Sequence, residues 1–143
     1  MASSDKNIPD NITNNKVSWI RNTPIAHRGF HDVQKRIYEN TLSAAKAAME
    51  NGYGIEVDLQ PSSDTVPMVF HDYELDRMTG HNGNIRDVAC KELNNIKISD
   101  SEDTIPTLKQ LLNLIQGRVD ITLELKGLSG KDDGFVESVV RDL

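Results

Sequence analysis

Gly54-Ile55-Glu56-Val57-Asp58-Leu59 is an apolar run broken at alternate positions by two carboxylates. Side chains at i and i+2 of a strand share a face. Glu56 and Asp58 therefore point one way, while Ile55, Val57 and Leu59 pack on the other. Carboxylates this close repel each other. A mostly buried strand keeps such a pair where something cationic lies between them, and a hard divalent metal with oxygen ligands is the usual solution. The same spacing also occurs on half-exposed strands, so the rest of the chain has to supply the cation's other partners.

Upstream, Pro24-Ile25-Ala26 leads into His27-Arg28-Gly29, a short buried strand ending in a turn where the glycine lets the backbone bend sharply. Asn40 or Thr41 then caps an amphipathic helix with Leu42, Ala45, Ala48 and Met49 at helical spacing, stopped by Gly52. Downstream, residues 61–65 read as a turn and residues 67–70 as a third strand running into His71-Asp72. Residues 73–84 are polar with two glycines and read as an ordered surface loop, and residues 87–93 as a short helix. Pro106-Thr107 opens a stronger helix whose apolar stripe is Leu108, Leu111, Leu112 and Ile115, with Gly117 at its end. Residues 119–126 alternate strictly as a fourth strand, with Thr122, Glu124 and Lys126 on one face, and residues 135–143 begin a further helix.

Strands alternating with helices predict an α/β fold with parallel pairing. Reactive residues at each strand's C-terminal end are the arrangement of a (β/α) barrel of the TIM type. A full barrel takes about 250 residues, so four strands amount to about the first half of one. The Rossmann alternative needs a glycine-rich fingerprint after the first strand, and His27-Arg28-Gly29-Phe30 is not one.

With 143 residues and 37% hydrophobic content, the chain reads as one domain over residues 23–143 behind a polar tail over residues 1–22. Trp19 and Ile20, near the end of that tail, are placed to fold back as a plug. A net charge of −6 argues against a nucleic-acid partner, so any phosphate is bound locally. Cys90 is the only cysteine, which excludes an intrachain disulfide and fits a reducing compartment. It reads as a small buried apolar residue of the short helix. No secretory signal or membrane-spanning run is evident, so a cytoplasmic location is expected.

Placed side by side at one barrel mouth, His27, Arg28, Glu56, Asp58, His71, Glu124 and Lys126 provide carboxylates, imidazoles and permanent cations together. The carboxylates suit Ca²⁺ or Mg²⁺ better than Zn²⁺, which prefers nitrogen and sulfur. Two histidines can serve as base and acid on opposite sides of a reacting centre. Arg28 and Lys126 neutralise an anionic substrate, Arg28 in a bidentate manner on phosphate oxygens. The implied reaction is displacement at the phosphorus of a phosphate ester. His31 and His81 lie in polar loops and are assigned no role, and Asp72 at most orients a neighbour.

In order and spacing, His27-Arg28-Gly29, Glu39-Asn40-Thr41, Glu56-Val57-Asp58, His71-Asp72, Thr79, Ile105-Pro106-Thr107-Leu108 and Glu124-Leu125-Lys126 resemble the motifs of the glycerophosphodiester phosphodiesterases. The resemblance implies that Glu56, Asp58 and Glu124 hold a divalent metal, Ca²⁺ or Mg²⁺. It implies further that His27 and His71 are the acid and base, that Arg28 and Lys126 contact the phosphate, and that Glu39 lies near the substrate. The implied reaction hydrolyses a glycerophosphodiester to sn-glycerol 3-phosphate and an alcohol, the neighbouring glycerol hydroxyl attacking phosphorus before water opens the cyclic phosphate. The chain departs from the family in having Tyr38 where a proline usually precedes Glu-Asn-Thr, and in covering only the first half of the family's barrel. Other readings are a relative of the phospholipase D toxins, or a remnant that binds metal or a partner without turnover. Open sheet edges predict a homo-oligomer or pairing with a missing C-terminal half.

Overall fold

The computed structural model describes residues 22–128 and 133–143, so the polar tail, apart from its last residue, and the expected Trp19-Ile20 plug lie outside the described residues. The elements are β1 (Ile25–His27), α1 (Leu42–Glu50), β2 (Gly54–Pro61), β3 (Pro67–Val69), α2 (Asp76–Thr79), α3 (Cys90–Leu93), α4 (Leu108–Ile115), β4 (Ile121–Leu125) and α5 (Phe135–Asp142). Single 3₁₀ turns occupy Val33–Lys35 and Ile85–Asp87.

β2 is the axis of the sheet. It pairs in parallel with β1, His27 opposite Glu56, and in parallel with β4, Asp58 opposite Glu124. That register makes the third carboxylate a direct cross-strand neighbour of the second. β3 is the exception to the expected parallel sheet, because it runs antiparallel to β2 with Leu59 opposite Val69. The cause is the connection. Residues 62–66 form a tight turn closed by Ser62 N–H donating to the Val66 carbonyl at 3.0 Å. A parallel return needs a crossover of a dozen residues or more. Leu59 pairs with both Leu125 and Val69, so β3 shares the edge of β2 that β1 occupies further back. The architecture is thus a partial barrel of parallel strands, with β3 folded back along the top of the central one.

Ile55, Val57 and Leu59 are 0–2% exposed and pack with Ala45, Ala48, Leu108, Leu111, Ile115, Phe135 and Val139 beneath α1, α4 and α5. Burying the β2 side chains fixes the strand's rotation at roughly 1.5–3 kcal/mol each. It also turns Glu56 and Asp58 to the opposite face. α1 is capped by Thr41, whose Oγ1 accepts from Ala44 N–H at 3.1 Å, which leaves Asn40 free for the site. α4 starts with a reciprocal capping box between Thr107 and Gln110. It ends at Gln116 in the left-handed region, one residue before the expected glycine.

The polar stretch read as a surface loop, residues 73–84, is more structured than its composition suggests. It holds α2 and a bridge between Glu74 and Asn84. Leu75, Met78 and Ile85 sink into a second core with Met68, Phe70, Leu93, Ile96, Ile98 and Ile105. Apolar residues scattered singly at irregular spacing carry no helical or strand period, so this satellite core has no signature in the sequence. The helix expected over residues 87–93 is split into the second 3₁₀ turn and α3. No helix among the described residues is long and apolar enough to cross a membrane.

Candidate active site

Gly29 creates the first wall of the site. Its φ is +80°, and a Cβ there would lie 2.7 Å from Ala44 Cβ and 2.9 Å from the Ala44 carbonyl carbon, so α1 can approach the β1 turn only against a glycine. The turn also holds Arg28 at φ +57°, which aims its backbone N–H at Glu56 Oε2, 3.1 Å away. From that position the Arg28 guanidinium donates to Glu39 Oε2 at 3.0 Å and lies 3.4 Å from Asp58 Oδ2.

Carboxylate oxygens of Glu56, Asp58 and Glu124 come within 4.8 Å of one another. Asp58 is fully buried and is held from both sides by Asn40, which donates to Oδ2 at 3.0 Å and accepts the Asp58 N–H at 3.2 Å. Lys126 closes the cluster, donating to Glu124 at 2.5 Å and standing 3.4 Å from Asp58 Oδ1. This contact lowers the Glu124 pKa, and Glu124 in turn raises that of Lys126. Even so, Glu56 Oε1 and Asp58 Oδ1 are buried without a hydrogen-bond partner. Leaving buried carboxylate oxygens without a hydrogen bond is costly. Three convergent hard oxygen donors, two of them orphaned, therefore fit a hard divalent cation.

A second line of contacts runs from Arg28 to His71. Glu39 bridges Arg28 and Arg77, and Arg77 donates to Asp72 through Nε at 2.7 Å and Nη2 at 3.0 Å. Asp72 Oδ1 lies 2.8 Å from His71 Nδ1. Burial alone would raise the Glu39 carboxyl, but Arg77 and Arg28 together outweigh it and bring it below its usual range. Arg77, opposed by burial and helped by His71, holds Asp72 down at about 2. Asp72 is therefore a carboxylate at neutral pH and an acceptor only, so the tautomer of a neutral His71 that fits this contact has its proton on Nδ1 and its lone pair on Nε2. His27 is more open, its side chain 68% exposed with Nε2 3.8 Å from Glu56 Oε2.

The fold thus gathers every residue that the sequence singled out: His27, Arg28, Glu39, Glu56, Asp58, His71, Glu124 and Lys126. It adds Arg77, and it gives Asn40, a motif residue and cap candidate in the sequence, a place against Asp58. The available signal for Arg77 was a cation shortly after His71-Asp72 and opposite in charge to both Asp72 and Glu39. Cys90 is half-buried rather than buried, and desolvation together with Asp64 pushes its thiol pKa up, which leaves it a poor nucleophile.

Residues 27–133 match the glycerophosphoryl diester phosphodiesterase family. The chain belongs to this family. It is 37% identical over 113 residues to a glycerophosphodiester phosphodiesterase of Caldanaerobacter subterraneus, covering 74% of this chain and 45% of that protein. It is 32% identical over 118 residues to glycerophosphodiester phosphodiesterase 1 of Mus musculus, covering 75% and 34%. Among solved structures it resembles a phosphodiesterase of Oleispira antarctica in complex with the product sn-glycerol-3-phosphate. That match has a TM-score of 0.76 at 30% identity and covers 85% of this chain and 51% of that one. The chain therefore spans about half the length, or less, of the relatives it matches.

Proposed function

We propose that this family member hydrolyses glycerophosphodiesters to sn-glycerol 3-phosphate and an alcohol, with Ca²⁺ or Mg²⁺ held by Glu56, Asp58 and Glu124. The observation that carries the reading is the carboxylate cluster with its two orphaned oxygens, flanked by Arg28 and Lys126 at the C-terminal ends of parallel strands. When bound, the cation supplies positive charge to the phosphoryl and glycerol oxygens. Arg28 and Lys126 bind the phosphate oxygens and offset the negative charge that builds up as phosphorus is attacked. His71, fixed by Asp72, takes the proton of the glycerol hydroxyl at Nε2 as that oxygen bonds to phosphorus. His27 protonates the departing alcohol oxygen as its bond to phosphorus breaks. Water then opens the cyclic phosphate with the two histidines in reversed roles. Glu39 acts on the substrate side by holding Arg28. We place this reaction in glycerophospholipid breakdown in a cytoplasmic setting, a reading with which the lone cysteine is consistent.

The test is release of glycerol 3-phosphate from glycerophosphocholine and glycerophosphoethanolamine with Ca²⁺ or Mg²⁺, with a chelator control. Glu56→Ala and His27→Ala should each lower kcat by about 10²-fold or more. If chelation and both substitutions leave the rate unchanged, the assignment of the site is wrong.

A further inference from the structure

Arg86 stands on the 3₁₀ turn Ile85–Asp87, which the fully buried Ile85 anchors in the satellite core. Its side chain is only 11% exposed and its Nε is buried without a partner. It reaches Asp133 at 3.5 Å, and its guanidinium carbon lies 5.6 Å from the Tyr73 ring centroid. The remaining contacts are to the site. Nη2 donates to the Lys126 carbonyl at 2.5 Å and to Gln60 Oε1 at 3.3 Å. Gln60 is fully buried, and its Nε2 donates to the carbonyls of His71 at 2.9 Å and Asp72 at 2.8 Å. The Lys126 N–H in turn donates to the Leu59 carbonyl at 2.9 Å.

We propose that Arg86, acting through Gln60, is a positioning residue that locks the backbone of His71-Asp72 to that of Lys126 across the end of β2. The roles of base and phosphate ligand that it serves rest on the function proposed above. β3 and β4 lie on opposite edges of β2, and the Lys126 N–H bond to Leu59 continues the β2–β4 ladder past the last paired residues. The carbonyls of His71, Asp72 and Lys126 need a link that the ladder does not provide. The buried amide and guanidinium supply it as a continuous set of donors to carbonyl oxygens. Burying an arginine with an orphaned Nε carries a desolvation cost, so stability alone does not account for its place here. Its geometry suits orientation, because Nη2 meets the Gln60 and Lys126 acceptors at once while Nη1 faces Asp133.

The experiment compares wild type with Arg86→Met and Arg86→Lys by thermal unfolding, residue-resolved amide hydrogen exchange and kinetics on glycerophosphocholine. Arg86→Met, which leaves Gln60 Oε1 and the Lys126 carbonyl without a donor, should unfold somewhat earlier than wild type, and should lose at least tenfold more protection at the Lys126 amide than at Val57. It should also lower kcat at least tenfold, with KM for the diester raised as well. Arg86→Lys should recover part of both losses by donating to one carbonyl. Wild-type protection at Lys126 and wild-type kinetics in Arg86→Met would overturn the proposal. So would a loss of protection that is uniform across β2 and β4, since that is a purely structural effect. A wild type without turnover would refute the phosphodiesterase reading, while the exchange measurements would still decide the role of Arg86.

Discussion

Gly29→Ala should damage the protein through two effects that the structure sizes separately. At φ +80° an L side chain meets its own backbone, which costs roughly 1–2 kcal/mol. The new methyl would also sit 2.7 Å from Ala44 Cβ and 2.9 Å from the Ala44 carbonyl carbon, so α1 has to shift, an overpacking cost of roughly 1–3 kcal/mol. Reduced freedom of the unfolded chain returns roughly 0.4–1 kcal/mol. The net expectation is about 3 kcal/mol of destabilisation. With a urea m value of about 2 kcal/mol/M, the unfolding midpoint falls by about 1.5 M. Phe30 N–H donates to the Ala44 carbonyl at 3.0 Å, so the shift of α1 also disturbs the turn that aims Arg28 at Glu56. Ala44→Gly in the same background removes the Cβ contact but neither the φ strain nor the backbone contact. A double-mutant cycle should therefore give a coupling of about 1 kcal/mol. A midpoint shift below about 0.5 M at unchanged m would refute the claim that close approach requires a glycine here.

Asp72 makes stability depend on acid. Its carboxyl is held at about 2 rather than 3.8, so its contribution is fully present above 3.8 and is lost as pH falls toward 2. Asp72→Asn should flatten the pH dependence of the unfolding free energy across that window by no more than about 2 kcal/mol, and an unchanged slope in urea titrations would count against the Arg77 contact. Mg²⁺ or Ca²⁺ at about 100 times its dissociation constant should stabilise the fold by about 2.7 kcal/mol, raising Tm by about 5–10 °C. Asp58→Asn should abolish that rise, and a rise of the same size in the variant would place the ion elsewhere. Thr107→Ala removes the capping box of α4 and should cost about 1 kcal/mol in a urea titration; a loss below a few tenths would show the box to be idle. Among the described residues β4 pairs only with β2, and Leu125, Leu128, Val136 and Val140 are exposed. Sedimentation should therefore show self-association at about 100 µM, and a single monomeric species would contradict it.

The sequence by itself determined the order of the main strands and helices and the face on which Glu56 and Asp58 lie. Both follow from short-range periodicity: two for β2, 3.6 for α1 and α4, with caps at Thr41 and Thr107 where local chemistry demanded them. The candidate site residues were marked by the strand ends. Family motifs added Glu39, which no local pattern marks. Three things were decided only in three dimensions. β3 turned antiparallel because a short hydrogen-bonded turn beat the general preference for crossovers. Leu75, Met78 and Ile85 built a second core from residues with no period to read. Asn40, Arg77, Gln60 and Arg86 became parts of the site because packing brought them to Asp58, Asp72, the His71 carbonyl and the Lys126 carbonyl. Those partners lie up to 40 residues away in the chain. A polar side chain looks the same in sequence whether it faces water or a buried carboxylate, and only the tertiary fold determines which.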